Sequence, residues 1–182
     1  LVVRISALVH ALQKERGYSN LTLCSPPGRL QQALAGLSQD AASVEAQSRP
    51  FLDDQAADPA QGSGRARFLN CIAFALFRLD ELPALRRQVR DRSVPVEDAD
   101  SRFTQVIGSL LAVVFEAADL ALDPGVTRIL VALLNFMQGK ELAGQERAVG
   151  VEGFSRGYFD DELQARLLHL QEGQERCFDI FG

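Results

Sequence analysis

Leu12-Gln13-Lys14-Glu15-Arg16-Gly17-Tyr18-Ser19 closes an apolar run in which Leu1, Ile5, Leu8, Leu12 and Arg16 recur at steps of four, three, four and four. Only a helix returns side chains to one face at that period, so the stretch specifies a helix over about residues 1–23. It also places a guanidinium where an apolar side chain is expected. Gly17, costing a helix about 1 kcal/mol relative to alanine, suggests a close backbone approach or space kept for something small.

The same period extends along the chain. Ser25-Pro26-Pro27 offers an N-cap and first-turn prolines for a second helix to about Arg49, whose stripe is Leu30, Leu34, Leu37, Ala41, Val44 and Ser48, with Pro50 disturbing its end. Residues 53–66 are polar, small and rich in helix breakers, and read as a loop. A third helix over about Arg67–Glu81 aligns Leu69, Ile72, Leu76 and Leu79. Pro83 either ends it or starts a short helix through Val89.

After the linker Ser93-Val94-Pro95-Val96, a helix capped by Asp98 or Asp100 carries Phe103, Ile107, Leu110, Val114, Ala117 and Ala121. Asp123-Pro124-Gly125 marks a turn. The next helix, about Val126–Val149, puts Ile129, Leu133, Phe136, Lys140, Ala143 and Arg147 on one stripe, and Gly150 and Gly153 are expected to break it. Asp160 or Asp161 caps a last helix with Leu163, Leu167, Leu170, Cys177 and Phe181 aligned. With no strictly alternating segment, the fold class is all-α, built as one or two antiparallel helical bundles, and residues 1–182 are read as one domain.

Composition narrows the function. The 182 residues carry a net charge of −5, so no overall basic field draws the chain to a nucleic-acid backbone. The basic piece Arg86-Arg87-Gln88-Val89-Arg90-Asp91-Arg92 is interrupted by an aspartate, lacks interleaved aromatics and reads as a solvated helix end. Cys24, Cys71 and Cys177 are odd in number, widely spaced and read as small buried apolar residues, which suits a reducing, cytoplasmic compartment. Val106–Phe115 is apolar but cut short by Glu116 and Asp119, so no membrane span is expected. Leu1 starts inside an apolar helical pattern and Gly182 stops just after Ile180-Phe181, as expected of a segment excised from something longer.

His10 and His169 have no metal-ligand spacing around them, and Asp160-Asp161-Glu162 fits a helix start better than acid–base chemistry. No nucleophile motif or phosphate loop is present, so neither an enzyme nor a cofactor is indicated. The chemistry concentrates instead in two Glu-Arg pairs beside small residues: Glu15-Arg16-Gly17, and Gly144-Gln145-Glu146-Arg147-Ala148.

Two readings of these pairs stand. In one, each arginine meets a carboxylate such as Glu15, Glu141 or Glu146 and fixes helix register. In the other, Arg16 and Arg147 face one cavity and clasp a small anion, for which a permanently charged planar fork of donors is suited. Glu15 and Glu146 would then orient the arginines, Gly17 and Gly144 would leave space, and Lys140 would add positive potential. Arg176, in a third copy at Gly173-Gln174-Glu175-Arg176, lies one place off the Cys177 stripe and is expected in solvent.

Gln13-Lys14-Glu15-Arg16-Gly17-Tyr18-Ser19-Asn20, Leu82-Pro83-Ala84-Leu85-Arg86, Phe103-Thr104-x-x-Ile107 and Lys140-Glu141-x-x-Gly144-Gln145-Glu146-Arg147-Ala148 together resemble the nitrate- and nitrite-sensing (NIT) domain, in the same order and over nearly the whole chain. One departure is Gln39, where many members carry an arginine ahead of the aspartate at Asp40. The resemblance implies two packed four-helix bundles sharing long helices, nitrate or nitrite held by Arg16 and Arg147, and a signal passed to a C-terminal effector. The Glu15–Ser25 run looks most like the cytoplasmic antiterminator type, which implies an ANTAR-like RNA-binding effector regulating nitrate assimilation, with a homodimer as a possible assembly. The rivals are a structural or docking bundle with internal Glu-Arg salt bridges, and an enzyme-like bundle using Asp160, Asp161 or a cysteine.

Overall fold

The computed structural model describes residues 1–57 and 63–181. Its helices are α1 (Val2–Cys24), α2 (Gln31–Ala57), α3 (Ser63–Leu79), α4 (Leu82–Arg90), α5 (Val96–Asp119), α6 (Pro124–Arg156) and α7 (Asp161–Phe181), with no strand among the described residues. The all-α class follows, and the chain forms two compact units, Leu1–Thr127 and Arg128–Gly182.

In the first unit α1 packs against α2 and α5, and α3 against α5 and α2, closing a four-helix ring. The expected stripes supply its core: Ile5, Leu8 and Leu12 of α1, Leu34 and Ala41 of α2, Ile72 and Leu79 of α3, and Phe103, Ile107, Leu110 and Val114 of α5 are all buried. Each large side chain so buried contributes about 1.5–3 kcal/mol relative to exposure. The short α4, started by the proline at its N-terminus, buries Leu82, Leu85 and Val89 at helical spacing.

Several boundaries differ from expectation. The second helix starts at Gln31 rather than beside Pro26, since Gly28 turns the chain with φ of +92°. It then runs through Pro50 and buries Leu52, with the Arg4 guanidinium 3.9 Å from the Phe51 ring centroid. Burial of that last turn outweighs the hydrogen bond Pro50 removes. Residues 53–57 and 63–66 are therefore helical rather than loop, and 58–62 lie outside the described residues. The fifth helix starts at Val96, so Asp98 falls in its first turn and Asp100 inside it, with neither at the cap.

The second unit holds α6 from Arg128 onward and α7, whose core is Val149, Leu163 and Leu170 with Leu142, Phe159 and Leu167 packed against it. Gly150 and Gly153 do not break α6. Gly157, with φ of +78°, follows its end, and the Asp160 carboxylate caps α7 by accepting from the Leu163 amide at 2.9 Å. Gly153 instead makes room for an aromatic ring: a Cβ there would collide with the Phe159 ring.

Alanine at Gly153 is therefore expected to lower stability by about 1–3 kcal/mol through overpacking, despite its better helix propensity. Gly150→Ala, which meets nothing within 4 Å, should stabilise by up to about 1 kcal/mol. Thermal denaturation followed by circular dichroism reads both, and equal shifts would show that Phe159 does not press on Gly153.

Candidate functional site

Arg16 lies where the α1 stripe places it, with only 2% of its surface exposed. Its Nη1 donates to Thr104 Oγ1 at 2.7 Å, and its Nε stands 3.8 Å from Asp100 Oδ1. Asn20, one turn further along α1, donates through Nδ2 to the same Asp100 oxygen at 2.7 Å. Positions 16 and 20 ascend α1 as 104 and 100 descend α5, so the seam is antiparallel and a buried polar ladder joins the two helices. The buried Asn20 Oδ1 has no hydrogen-bond partner. Burying this set costs free energy unless its charges pair, which makes the seam a candidate site rather than ordinary packing.

Glu15 faces a different neighbour. Arg86 Nε and Nη2 donate to its two carboxylate oxygens at 2.8 and 2.9 Å, a parallel fork in which the glutamate side chain is fully buried. Arg86 Nη1 reaches Glu45 at 3.2 Å, Glu45 accepts from Arg49, and Arg49 pairs with Asp80 at 2.8 Å. Burial alone lowers the Arg86 pKa. Hydrogen bonding and charge attraction from Glu15, then from Glu45, outweigh that and hold it above its ordinary value.

Thus Glu15 orients α1 against α4 and does not touch Arg16 through this fork. The reading of residues 86–92 as a solvated helix end fails at two positions. Arg86 is half-buried and held in the ion pair, and Arg92, with φ of +53°, donates to the carbonyls of Thr22, Leu23 and Ser25 at 2.6, 2.7 and 2.9 Å. It caps the C-terminus of α1, where a cation also opposes the helix dipole.

The second motif lies in the other unit. The buried face of α6 runs through Leu134, Met137, Glu141, Val149 and Gly153, whereas Ile129, Phe136 and Arg147 of the expected stripe are exposed. Arg147 thus sits outside its unit's core, and a carboxylate, Glu141, is buried instead, 5% exposed and accepting from Gln145 at 2.9 Å. Glu146 accepts from Gln174 and Gln171 of α7 at 2.7 and 2.9 Å. These bonds, Gln174 first, hold its carboxyl below the ordinary value of 4.5. The stability it lends the hairpin is present above that value and fades as pH falls through the lowered one.

Lys140 and Gly144 are half-buried. Gly17 is exposed, and a Cβ there would meet nothing within 4 Å, so no close backbone approach explains it. Arg176 is exposed beside Glu172, as its offset position suggested. Cys24 is exposed rather than buried, because α1 ends at that residue, while Cys71 and Cys177 are half-buried. No cluster of potential metal ligands occurs among the described residues, and no helix there is long and apolar enough to cross a membrane.

Asp100 and Asn20 were absent from the sequence-derived set. Asp100 lies three residues before Phe103 on the α5 stripe and Asn20 four after Arg16 on that of α1, so each is a polar residue at an inward position. Reading Asp100 as a cap concealed it.

The family model for nitrate and nitrite sensing matches residues 7–182. The chain belongs to the NIT family. This NIT chain is 46% identical over 181 residues to the nitrate regulatory protein of Klebsiella oxytoca, covering 100% of the chain and 44% of that protein. Its fold is similar to the structure of the NasR transcription antiterminator, with a TM-score of 0.84, 44% identity, and coverage of 99% of this chain and 48% of that one. The chain therefore spans less than half the length of these relatives.

Proposed function

We propose that this NIT chain is the sensory part of a nitrate- or nitrite-responsive regulator, with Arg16 as a direct ligand contact and Arg147 as a second. The observation that carries the reading is the Arg16 guanidinium, 2% exposed within the Gln13–Asn20 motif and held by a hydroxyl and a carboxylate 3.8 Å away. Nitrate and nitrite offer planar oxygens to such a fork. For Arg147 the support is the motif from Lys140 to Ala148.

The action is binding rather than turnover, and it drives an output only through affinity that differs between two conformations of the protein. A full reversal from 1:99 to 99:1 needs about 5.5 kcal/mol of such difference. The effector that reads it is an RNA-binding antitermination module in the remainder of the protein, acting in the cytoplasm on nitrate assimilation. Titration calorimetry with nitrate, nitrite, chloride and sulfate tests the reading. Saturable binding of nitrate or nitrite at concentrations where chloride gives no heat is expected, and equal responses to all four ions would overturn it.

A second reading, a docking bundle with internal Glu-Arg pairs, draws on the Glu15–Arg86 fork and on the exposure of Arg147. It predicts no anion dependence of stability, with loss of either arginine affecting folding or assembly alone.

A further inference from the structure

We propose that Asp100 is a resident anion of the Arg16 site, a carboxylate with which nitrate or nitrite must compete, and that it thereby sets the affinity threshold and ionic selectivity of the sensor. This rests on the reading of Arg16 as a ligand contact.

The first unit contains two buried or nearly buried arginine–carboxylate pairs launched from consecutive residues of α1, and they differ in kind. Glu15 and Arg86 close a parallel fork at 2.8 and 2.9 Å. Arg16 and Asp100 stand 3.8 Å apart through Nε and Oδ1, about 1 Å beyond a tight charge-assisted bond. The Asp100 oxygen nearest Arg16 is instead committed to Asn20 at 2.7 Å. The aspartate thus contributes negative charge beside the buried guanidinium, while its hydrogen bond to Asn20 holds it back from Arg16.

Such a slack pair suits exchange. A carboxylate and nitrate are both planar, singly charged and oxygen-edged, so a nitrate seated on the guanidinium competes with Asp100 for the same positive charge. Their geometry differs from that of chloride, which satisfies charge but cannot bridge two parallel donors. Once nitrate is bound, Asp100 remains near the new anion and is repelled by it. Because Asp100 rides on the early part of α5 and Arg16 on α1, that repulsion acts along the α1–α5 seam and gives ligand binding a mechanical consequence.

The test measures nitrate and chloride affinities for the chain as wild type, Asp100→Asn, Asp100→Glu and Arg16→Ala. Asparagine keeps the shape and an acceptor for Asn20 but removes the competing charge. Nitrate affinity should rise by about tenfold or more, the scale on which a unit charge within 4–6 Å shifts an ionic equilibrium, and discrimination against chloride should shrink. Asp100→Glu, which keeps the charge, should stay nearer wild type. A merely structural role would not yield a gain in affinity.

A folded Asp100→Asn chain with unchanged or weaker nitrate binding, in a protein whose Arg16→Ala variant loses nitrate, overturns the inference alone. Absence of nitrate binding by wild type, or undiminished binding by Arg16→Ala, overturns both the sensor reading and this inference. Should Asp100→Asn fail to fold, the nitrate-bound wild-type structure decides. Separation of Arg16 Nε from Asp100 Oδ1 well beyond 3.8 Å supports the competition, and an intact pair beside bound nitrate overturns it.

Discussion

Replacing Arg16 with alanine is expected to abolish the stabilisation that nitrate confers on the chain. Ligand present at 100 times its dissociation constant adds about 2.7 kcal/mol to a folded state that binds it, which should appear as a clear upward shift of the wild-type melting transition. The variant loses the donor fork, the hydrogen bond to Thr104 and the positive charge beside Asp100. It should therefore melt lower without ligand and show no rise with it. Arg16→Lys separates the two effects: charge opposite Asp100 is kept, so folding is largely preserved, while the planar fork is lost and nitrate affinity falls. The same increment in wild type and both variants would remove Arg16 from the site.

How much of this could be read beforehand depends on which physical signal each feature leaves. Helical period alone identified Ile5, Leu8, Leu12 and Arg16 as one buried face, because a four-helix ring must cover one stripe per helix. The Phe103–Val114 stripe of α5 emerged for the same reason. Period failed on α6, where two candidate stripes differ by one position. Glu141 is buried and Arg147 exposed, and apolar counting favours the stripe with Ile129 and Phe136 over the buried one through Leu134, Met137 and Glu141.

Contacts between distant segments left a fainter trace. Nothing local in Arg86 distinguishes it from Arg87 or Arg90, yet of the three Arg86 meets the buried Glu15, since the step of about 100° per residue turns Arg87 away and Arg90 lies a turn further along the helix. Arg92 was equally hidden, its partners being backbone carbonyls at the end of another helix. The glycines divide likewise: Gly153 accommodates a ring that lies six residues away, while Gly17 faces open space despite its place in the most distinctive motif.

Glu15→Ala is expected to have the largest effect on folding. The change strands the Arg86 guanidinium, 12% exposed, with Glu45 alone at 3.2 Å, and removing one partner of a buried pair costs roughly 3–5 kcal/mol. That is a large share of the 5–15 kcal/mol by which domains are typically stable. In urea unfolding followed by circular dichroism, the midpoint should fall with little change in slope. Pairing Glu15→Leu with Arg86→Met should recover much of the loss, because apolar replacement of a buried pair is often neutral. A loss below about 1 kcal/mol in the single variant would place the pair among weak surface bridges. The fork also fixes the rotation of α1 about its axis, and Arg16 is the next residue. A folded Glu15→Leu/Arg86→Met chain should consequently bind nitrate more weakly than wild type although the fork itself does not include Arg16. Unchanged affinity there would mean that the α1–α5 ladder aligns Arg16 without help from α4.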